Sequence, residues 1–156
     1  MSRELYFLRS SEQKIVQDMV KYAYPSEIQN LEKYSEFYGL TSKDLGLYAL
    51  VDNEIAGAVW TRESELGNPI MSFAIVPKFR KQGVGIFMME QFLQELGAVY
   101  ATVAIDISHK PKALPFYKKF GFEKIENSEK LVMQKKLEKK EVIRPTDGYD
   151  PTKWMD

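Results

Sequence analysis

The sequence predicts a mixed α/β domain with the element order β-α-α-β-β-β-α-β-α-β-β. Three observations carry that prediction. Short apolar runs of strand length alternate with longer runs of helical period. A loop ending in glycines, Arg80-Lys81-Gln82-Gly83-Val84-Gly85, joins a strand-like run to a helix-like one. The chain has 156 residues, 44% of them hydrophobic, which suits one domain around one core.

Leu5 to Leu8 is a short apolar run that opens the sheet. Ser10 or Ser11 is placed to cap a helix through about Ala23, with Ile15, Val16, Met19, Val20 and Ala23 on one face. Pro25-Ser26 breaks it. Ser26 then caps a second helix carrying Ile28, Leu31, Tyr34, Phe37 and Tyr38, and Gly39 ends it. Three strands follow, Gly46 to Val51, Glu54 to Arg62 and Pro69 to Val76, with turns at Asp52-Asn53 and Gly67-Asn68-Pro69. The next helix runs from Gly83 to Leu96, with Gly97 as its C-cap. Val99 to Ile107 is a strand whose long apolar run implies burial on both faces. A helix over Lys112 to Phe120 ends at Gly121, and Pro115 inside it is expected to bend its first turns and displace Tyr117. Phe122 to Ile125 and Lys130 to Lys136 form a closing hairpin around Glu126-Asn127-Ser128. The sheet is expected to be antiparallel at first, with a crossover helix after the glycine loop. The domain spans residues 1–137. Residues 138–156 read as a polar tail with Pro145 and Pro151, in which Trp154 leaves open an arm packed on the domain or on a partner subunit.

Composition removes several classes of function. There are no cysteines, which rules out disulfides and thiol nucleophiles. His109 is the only histidine, too little nitrogen and sulfur for a structural zinc site. No run of about 18 apolar residues is present, so no membrane span is expected. The first residues lack the apolar core of a signal peptide, and the expected location is cytoplasmic. Lys+Arg and Asp+Glu stand at 22 each, a balance that argues against a general nucleic-acid binder.

The glycine loop carries the first chemical signal. A short loop feeding a helix gathers backbone N–H groups into a cup, and the helix start adds about half a positive charge. Such a cup holds phosphate or diphosphate. No Gly-Lys-Ser/Thr follows, and the third glycine of a dinucleotide fingerprint is missing. By itself the motif also reads as an ordinary glycine turn.

The second signal is Ala113-Leu114-Pro115-Phe116-Tyr117-Lys118-Lys119-Phe120-Gly121-Phe122. Arg80-x-x-Gly83-x-Gly85, followed a strand later by Ala113-x-x-x-Tyr117-x-x-x-Gly121-Phe122, resembles the GNAT superfamily of acyl-CoA-dependent N-acetyltransferases. The resemblance covers the element order from about Leu5 to Lys136 and implies a GNAT-like fold, with acetyl-CoA (coenzyme A) as cofactor. By resemblance, the N–H groups around Gln82, Gly83, Val84 and Gly85, in the loop with Arg80 and Lys81, cradle the pyrophosphate. The pantetheine arm pairs with the open edge of the preceding strand at Ala74, Ile75 and Val76. Tyr117 matches the tyrosine whose hydroxyl protonates the leaving thiolate.

Residue chemistry alone leaves Tyr117 open as a core-edge aromatic and Arg80 as a surface ion-pair partner. The asparagine that relatives carry ahead of the alanine is replaced by Ser108-His109-Lys110-Pro111, where Lys110 or Ser108 can take over the cofactor contact. Lys110, Lys112, Lys118 and Lys119 make the helix region basic, either as a solvated face or toward the 3′-phosphate. Glu63, Glu65, Asp106 and His109 are candidates for the general base, with a water relay or free amine as alternatives. The acceptor pocket is expected between the N-terminal helices and the central strands, with Tyr22, Tyr24, Tyr34, Phe37, Tyr38 and Trp60 as wall candidates. The implied activity is acetyl transfer to a primary amine by direct attack in a ternary complex, since no cysteine can form an acyl-enzyme. The acceptor is a small molecule or a peptide amine. A non-catalytic acyl-CoA-binding module is the alternative, and acetylation of a protein N-terminus or charged transfer RNA a third reading. A homodimer is expected by resemblance only.

Overall fold

A computed structural model of the chain describes residues 3–24, 34–39, 44–63, 69–108, 110–125 and 130–138. Most of the expected second helix, the turn at Gly67-Asn68, Glu65, His109, the hairpin tip at Glu126-Asn127-Ser128 and all of the tail after Glu138 lie outside the described residues. The strands are β1 (Arg3–Phe7), β2 (Gly46–Val51), β3 (Glu54–Glu63), β4 (Pro69–Ile75), β5 (Thr102–Asp106), β6 (Glu123–Lys124) and β7 (Val132–Lys136). The helices are α1 (Gln13–Ala23), α2 (Val84–Gly97) and α3 (Leu114–Lys119). The strands form one seven-stranded sheet in the order β1-β2-β3-β4-β5-β7-β6, so the mixed α/β class holds.

β1 to β4 are antiparallel neighbours. Asp52 and Asn53 both take positive φ, 50° and 68°, which gives the β2–β3 hairpin a turn whose twist matches its strands. The crossover through α2 makes β5 parallel to β4. The closing hairpin enters by its second strand, which inserts β7 between β5 and β6.

Side chains alternate between two faces. On one, α1 lays Val16, Met19, Val20 and Ala23 against β3 and β4, with Trp60 fully buried beneath them. On the other, α2 lays Met88, Met89, Phe92 and Leu96 against β2 and β3. Fully burying a side chain of the size of Phe92 contributes about 2–3 kcal/mol. Among the described residues no helix is long and apolar enough to cross a membrane.

Local expectations are corrected at four places. Ser10 and Ser11 do not cap α1: they lie inside a 3-10 turn, Ser10–Glu12, and the Glu12 carboxylate accepts the Arg9 N–H at 3.1 Å instead. Gly97 is not the C-cap of α2. It is the last residue of the helix, Ala98 is the cap, and the missing Cβ of Gly97 makes room for the Glu138 carbonyl, 2.4 Å from where that carbon would sit. β5 is shorter than its apolar run because Val99 and Tyr100 donate back to the Leu96 carbonyl at the helix exit. Only Val103 and Ile105 are buried in β5, the other face being half covered, since α1 packs on β3 and β4. Pro115 falls in the first turn of α3, where its missing N–H has no helical acceptor to lose.

Candidate active site

The chain leaves β4 through a 3-10 turn, Pro77–Phe79, pinned to the core by buried Phe79. Lys81 and Gly83 then take left-handed backbone, φ 63° and 79°. Gly83 does so without strain, having no Cβ. The first helical bond of α2 runs from the Phe87 N–H to the Gly83 carbonyl, 3.1 Å. The N–H groups of Gly83, Val84, Gly85 and Ile86 therefore have no acceptor within the helix. The Gln82 side chain amide donates to the Lys78 carbonyl at 2.9 Å, which closes the loop on itself. Arg80 and Lys81 stand exposed beside the cup. A third cation joins them: Arg3 of β1 donates from Nη2 to the Gln82 carbonyl at 2.5 Å. Sequence reasoning missed Arg3 because the contact spans 79 positions.

The strand edge lies next to this cup. β4 is paired with β3 along the whole length of β4, from Glu63↔Pro69 to Gly57↔Ile75. On its other side β4 meets β5 at one registered pair, Ile70↔Ala104, and then parts from it. The Val76 N–H donates to the Ala56 carbonyl at 2.8 Å. Antiparallel alternation then directs the polar groups of Ala74 and Val76 toward β3 and those of Phe73 and Ile75 outward. Of Ala74, Ile75 and Val76, only Ile75 thus offers backbone groups to the open edge, and Phe73 joins it. The period of 2 makes this a question of register, which the residue types do not encode.

Where β4 and β5 part, a cavity of ≈ 20 Å³ opens, room for about one water. Tyr24, Phe73, Asp106, Lys110 and Tyr117 line it, together with the β5 end. Tyr117 is 5% exposed, with the rings of Phe73, Phe116 and Phe122 edge-on around it at 6.4, 5.3 and 5.6 Å. Burial, and secondarily Tyr24, pushes its phenol well above the usual range, so the hydroxyl stays protonated. Tyr24, at the end of α1, shares a 2.7 Å hydrogen bond with Ser72 of β4. Burial pushes Tyr24 up to about 12.

The basic residues near α3 separate into two kinds. Lys112, Lys118 and Lys119 are exposed. Lys110 is half-buried, donates from Nζ to the Tyr22 carbonyl, and is lowered by burial and then by the charge of Arg80. Ser108 is already engaged: its N–H and hydroxyl go to Asp106 Oδ1 at 2.9 and 2.6 Å, and its hydroxyl accepts the Leu131 N–H at 2.8 Å. Among the base candidates, Asp106 lines the cavity, Glu63 ends β3 in an exposed position, and Glu65 and His109 lie outside the described residues. A carboxyl not anticipated is Asp44, buried ahead of β2 and pushed up to about 6 by that burial, against a backbone hydrogen bond from Tyr38.

The wall candidates also divide. Trp60 is fully buried and donates from Nε1 to the Tyr34 carbonyl at 3.1 Å, a core role. Phe37 is buried in the same cluster, and Tyr38 is 60% exposed. The Tyr24 and Tyr34 rings meet at a tilt of 35° with centroids 4.1 Å apart, and Tyr22 packs at the cluster's margin.

A family model described as an acetyltransferase (GNAT) domain matches residues 10–133. No curated protein sequence matches the chain. Among solved structures, the ribosomal-protein-S18-alanine N-acetyltransferase from Escherichia coli is similar with a TM-score of 0.66 at 14% identity, over 88% of this chain and 95% of that one. A GNAT-family acetyltransferase from Streptococcus pneumoniae gives 0.69 at 13% identity, over 87% and 99%. The PaiA N-acetyltransferase from Thermoplasma acidophilum, solved in complex with coenzyme A, gives 0.64 at 14% identity, over 87% and 99%. At these identities the likeness establishes the fold.

Proposed function

Because the chain belongs to the GNAT acetyltransferase family, with acetyl-CoA as its acetyl donor, we propose that it acetylates a primary amine of a small molecule or peptide by direct attack in a ternary complex. The observation that carries this reading is the continuity of three features along one path. The N–H cup at Gly83 to Ile86 leads to the free edge of β4 at Phe73 and Ile75, and that edge leads to the cavity holding Tyr117.

The residues present suit the cofactor. Gly83 keeps the cup open, with Arg3, Arg80 and Lys81 adding charge for phosphates. The outward N–H and C=O groups of Phe73 and Ile75 offer a strand-like partner to an amide-rich arm. Lys110, close enough to Arg80 to feel its charge, completes the cofactor-binding set. When bound, acetyl-CoA supplies a thioester whose carbonyl carbon is the electrophile. In the transfer a C–N bond forms to the amine, the C–S bond breaks, and the amine gives up a proton. Tyr117 holds its proton firmly and donates a hydrogen bond to the departing sulfur. Asp106, at the cavity wall, is the nearest described carboxylate for the amine proton.

The domain spans residues 1–137 in this reading, with the polar tail outside it. The enzyme is cytoplasmic, takes no nucleic-acid partner given its balanced charge, and pairs as a homodimer by analogy with relatives. The test is incubation of the purified chain with acetyl-CoA and a broad panel of primary amines, following thiol release and product mass. Thiol release matched by acetylated amine is the expected result. Acetyl-CoA binding with no thiol release on any amine would favour the acyl-CoA-binding module instead.

A further inference from the structure

Arg62 is a half-buried cation of β3 that makes no ion pair among the described residues. It lies on β3 opposite Ile70 of β4, two residues from Trp60, which pairs with Ser72. Residues two apart on a strand share a face. Arg62 therefore sits on the α1 side of the sheet, one pleat from the hydrogen bond between Ser72 and Tyr24. Its guanidinium carbon is 5.2 Å from the centroid of the Tyr34 ring. Its Nε is buried and has no hydrogen-bond partner among the described residues. Among the described residues it makes no ion pair, and the neighbouring Glu63 points from the opposite face by strand alternation. Burying part of a guanidinium without a counter-charge is costly, so a fold that keeps one on the sheet face that carries Tyr24 and Ser72 invites an anion to it.

The opposite charge lies at the cavity wall. Asp106 of β5 lines the cavity, and the Tyr24 phenol feels both groups, lowered by Arg62 and raised by Asp106. Arg62 covers the Tyr34 ring, Tyr34 lies against Tyr24, and Tyr24 lines the cavity, so a cation lies behind this ring pair on the β3 side and Asp106 stands at the cavity wall on the β5 side. A polyamine or a simple cationic amine would meet repulsion at Arg62. A dipolar amine would match both ends, with its nitrogen toward Asp106 and its anionic group toward the planar fork of Arg62, which suits a carboxylate.

Resting on the acetyl-transfer reading, we infer that the acceptor is an amine that also carries a carboxylate, such as an α-amino acid, and that Arg62 is the residue that reads the carboxylate. The experiment compares each of several amino acids with the amine left when its carboxylate is removed, for example phenylalanine with phenethylamine and tyrosine with tyramine. Acetyl-CoA binding is followed in parallel by thermal shift. The wild-type enzyme is expected to favour the carboxylated member in kcat/KM by roughly 100-fold. Arg62→Gln should remove that preference through KM, with kcat and the acetyl-CoA shift retained. Arg62→Lys should restore only part, since an ammonium lacks the fork. Equal or faster acetylation of the carboxylate-free amines by the wild type would overturn the inference and leave acetyl transfer standing. So would an Arg62→Gln variant that keeps the preference. Failure of every amine despite an intact acetyl-CoA shift would overturn the acetyl-transfer reading, and this inference with it.

Discussion

Tyr117→Phe lowers kcat by roughly 10²- to 10³-fold, within the usual yield of one positioned hydrogen-bond donor to the developing charge, and leaves acetyl-CoA affinity nearly unchanged. The expectation rests on where the hydroxyl lies. The ring is gripped edge-on by Phe73, Phe116 and Phe122, so phenylalanine fits the same space and the fold loses only an oxygen. Burial and Tyr24 are the influences on this phenol, and both raise it. It therefore stays protonated across the working pH range, and no limb of the wild-type pH profile belongs to it. The profile should rise with pH as the acceptor amine loses its proton, in wild type and variant alike. Steady-state kinetics against pH, with acetyl-CoA titrated separately, checks this. Unchanged kcat in the variant would show that Tyr117 serves packing alone.

Gly83→Asp weakens coenzyme A binding by about 100-fold while sparing the fold. Gly83 precedes the first turn of α2 at φ 79°. Aspartate is among the few side chains that tolerate such backbone, and it also favours a helix start, so the apo protein should stay within about 1 kcal/mol of wild type. The carboxylate would stand in the cup meant for the pyrophosphate. One unit charge at about 5 Å, under an effective dielectric constant of about 20, opposes another by roughly 3 kcal/mol, which is the stated loss in affinity. Calorimetric titration with coenzyme A and a melting curve of the free protein separate the two effects. Wild-type affinity in this variant would place the pyrophosphate elsewhere.

Much of the fold is legible because its signals are local. Asp52-Asn53 marks its hairpin, the apolar runs mark β2, β3 and β4, and the paired glycines mark the entry to α2. Errors arise where a distant group decides. Gly97 looks like a helix stop until the Glu138 carbonyl is seen pressed against it. The closing hairpin is readable, but which of its strands meets β5 is a matter of assembly. The site divides the same way. Gly83 and Tyr117 carry their own spacing. The outward role of Phe73 depends on register with β3, and Arg3 reaches the loop from the other end of the sheet. Arg62 gains meaning only from the ring beneath it and the missing acceptor at its Nε. Lys110 looks like its neighbouring lysines in sequence and differs from them in the fold, by its burial and its hydrogen bond to the Tyr22 carbonyl.

The central claim is that coenzyme A runs from the cup at the start of α2 along the open edge of β4. Residue-resolved amide exchange with and without saturating coenzyme A tests it directly. The account predicts slowed exchange at Phe73, Ile75 and Gly83 to Ile86, with little change at Ala74 and Val76, whose amides β3 already holds. Unaltered exchange at Phe73, Ile75 and the α2 start, with saturation confirmed independently, would contradict it.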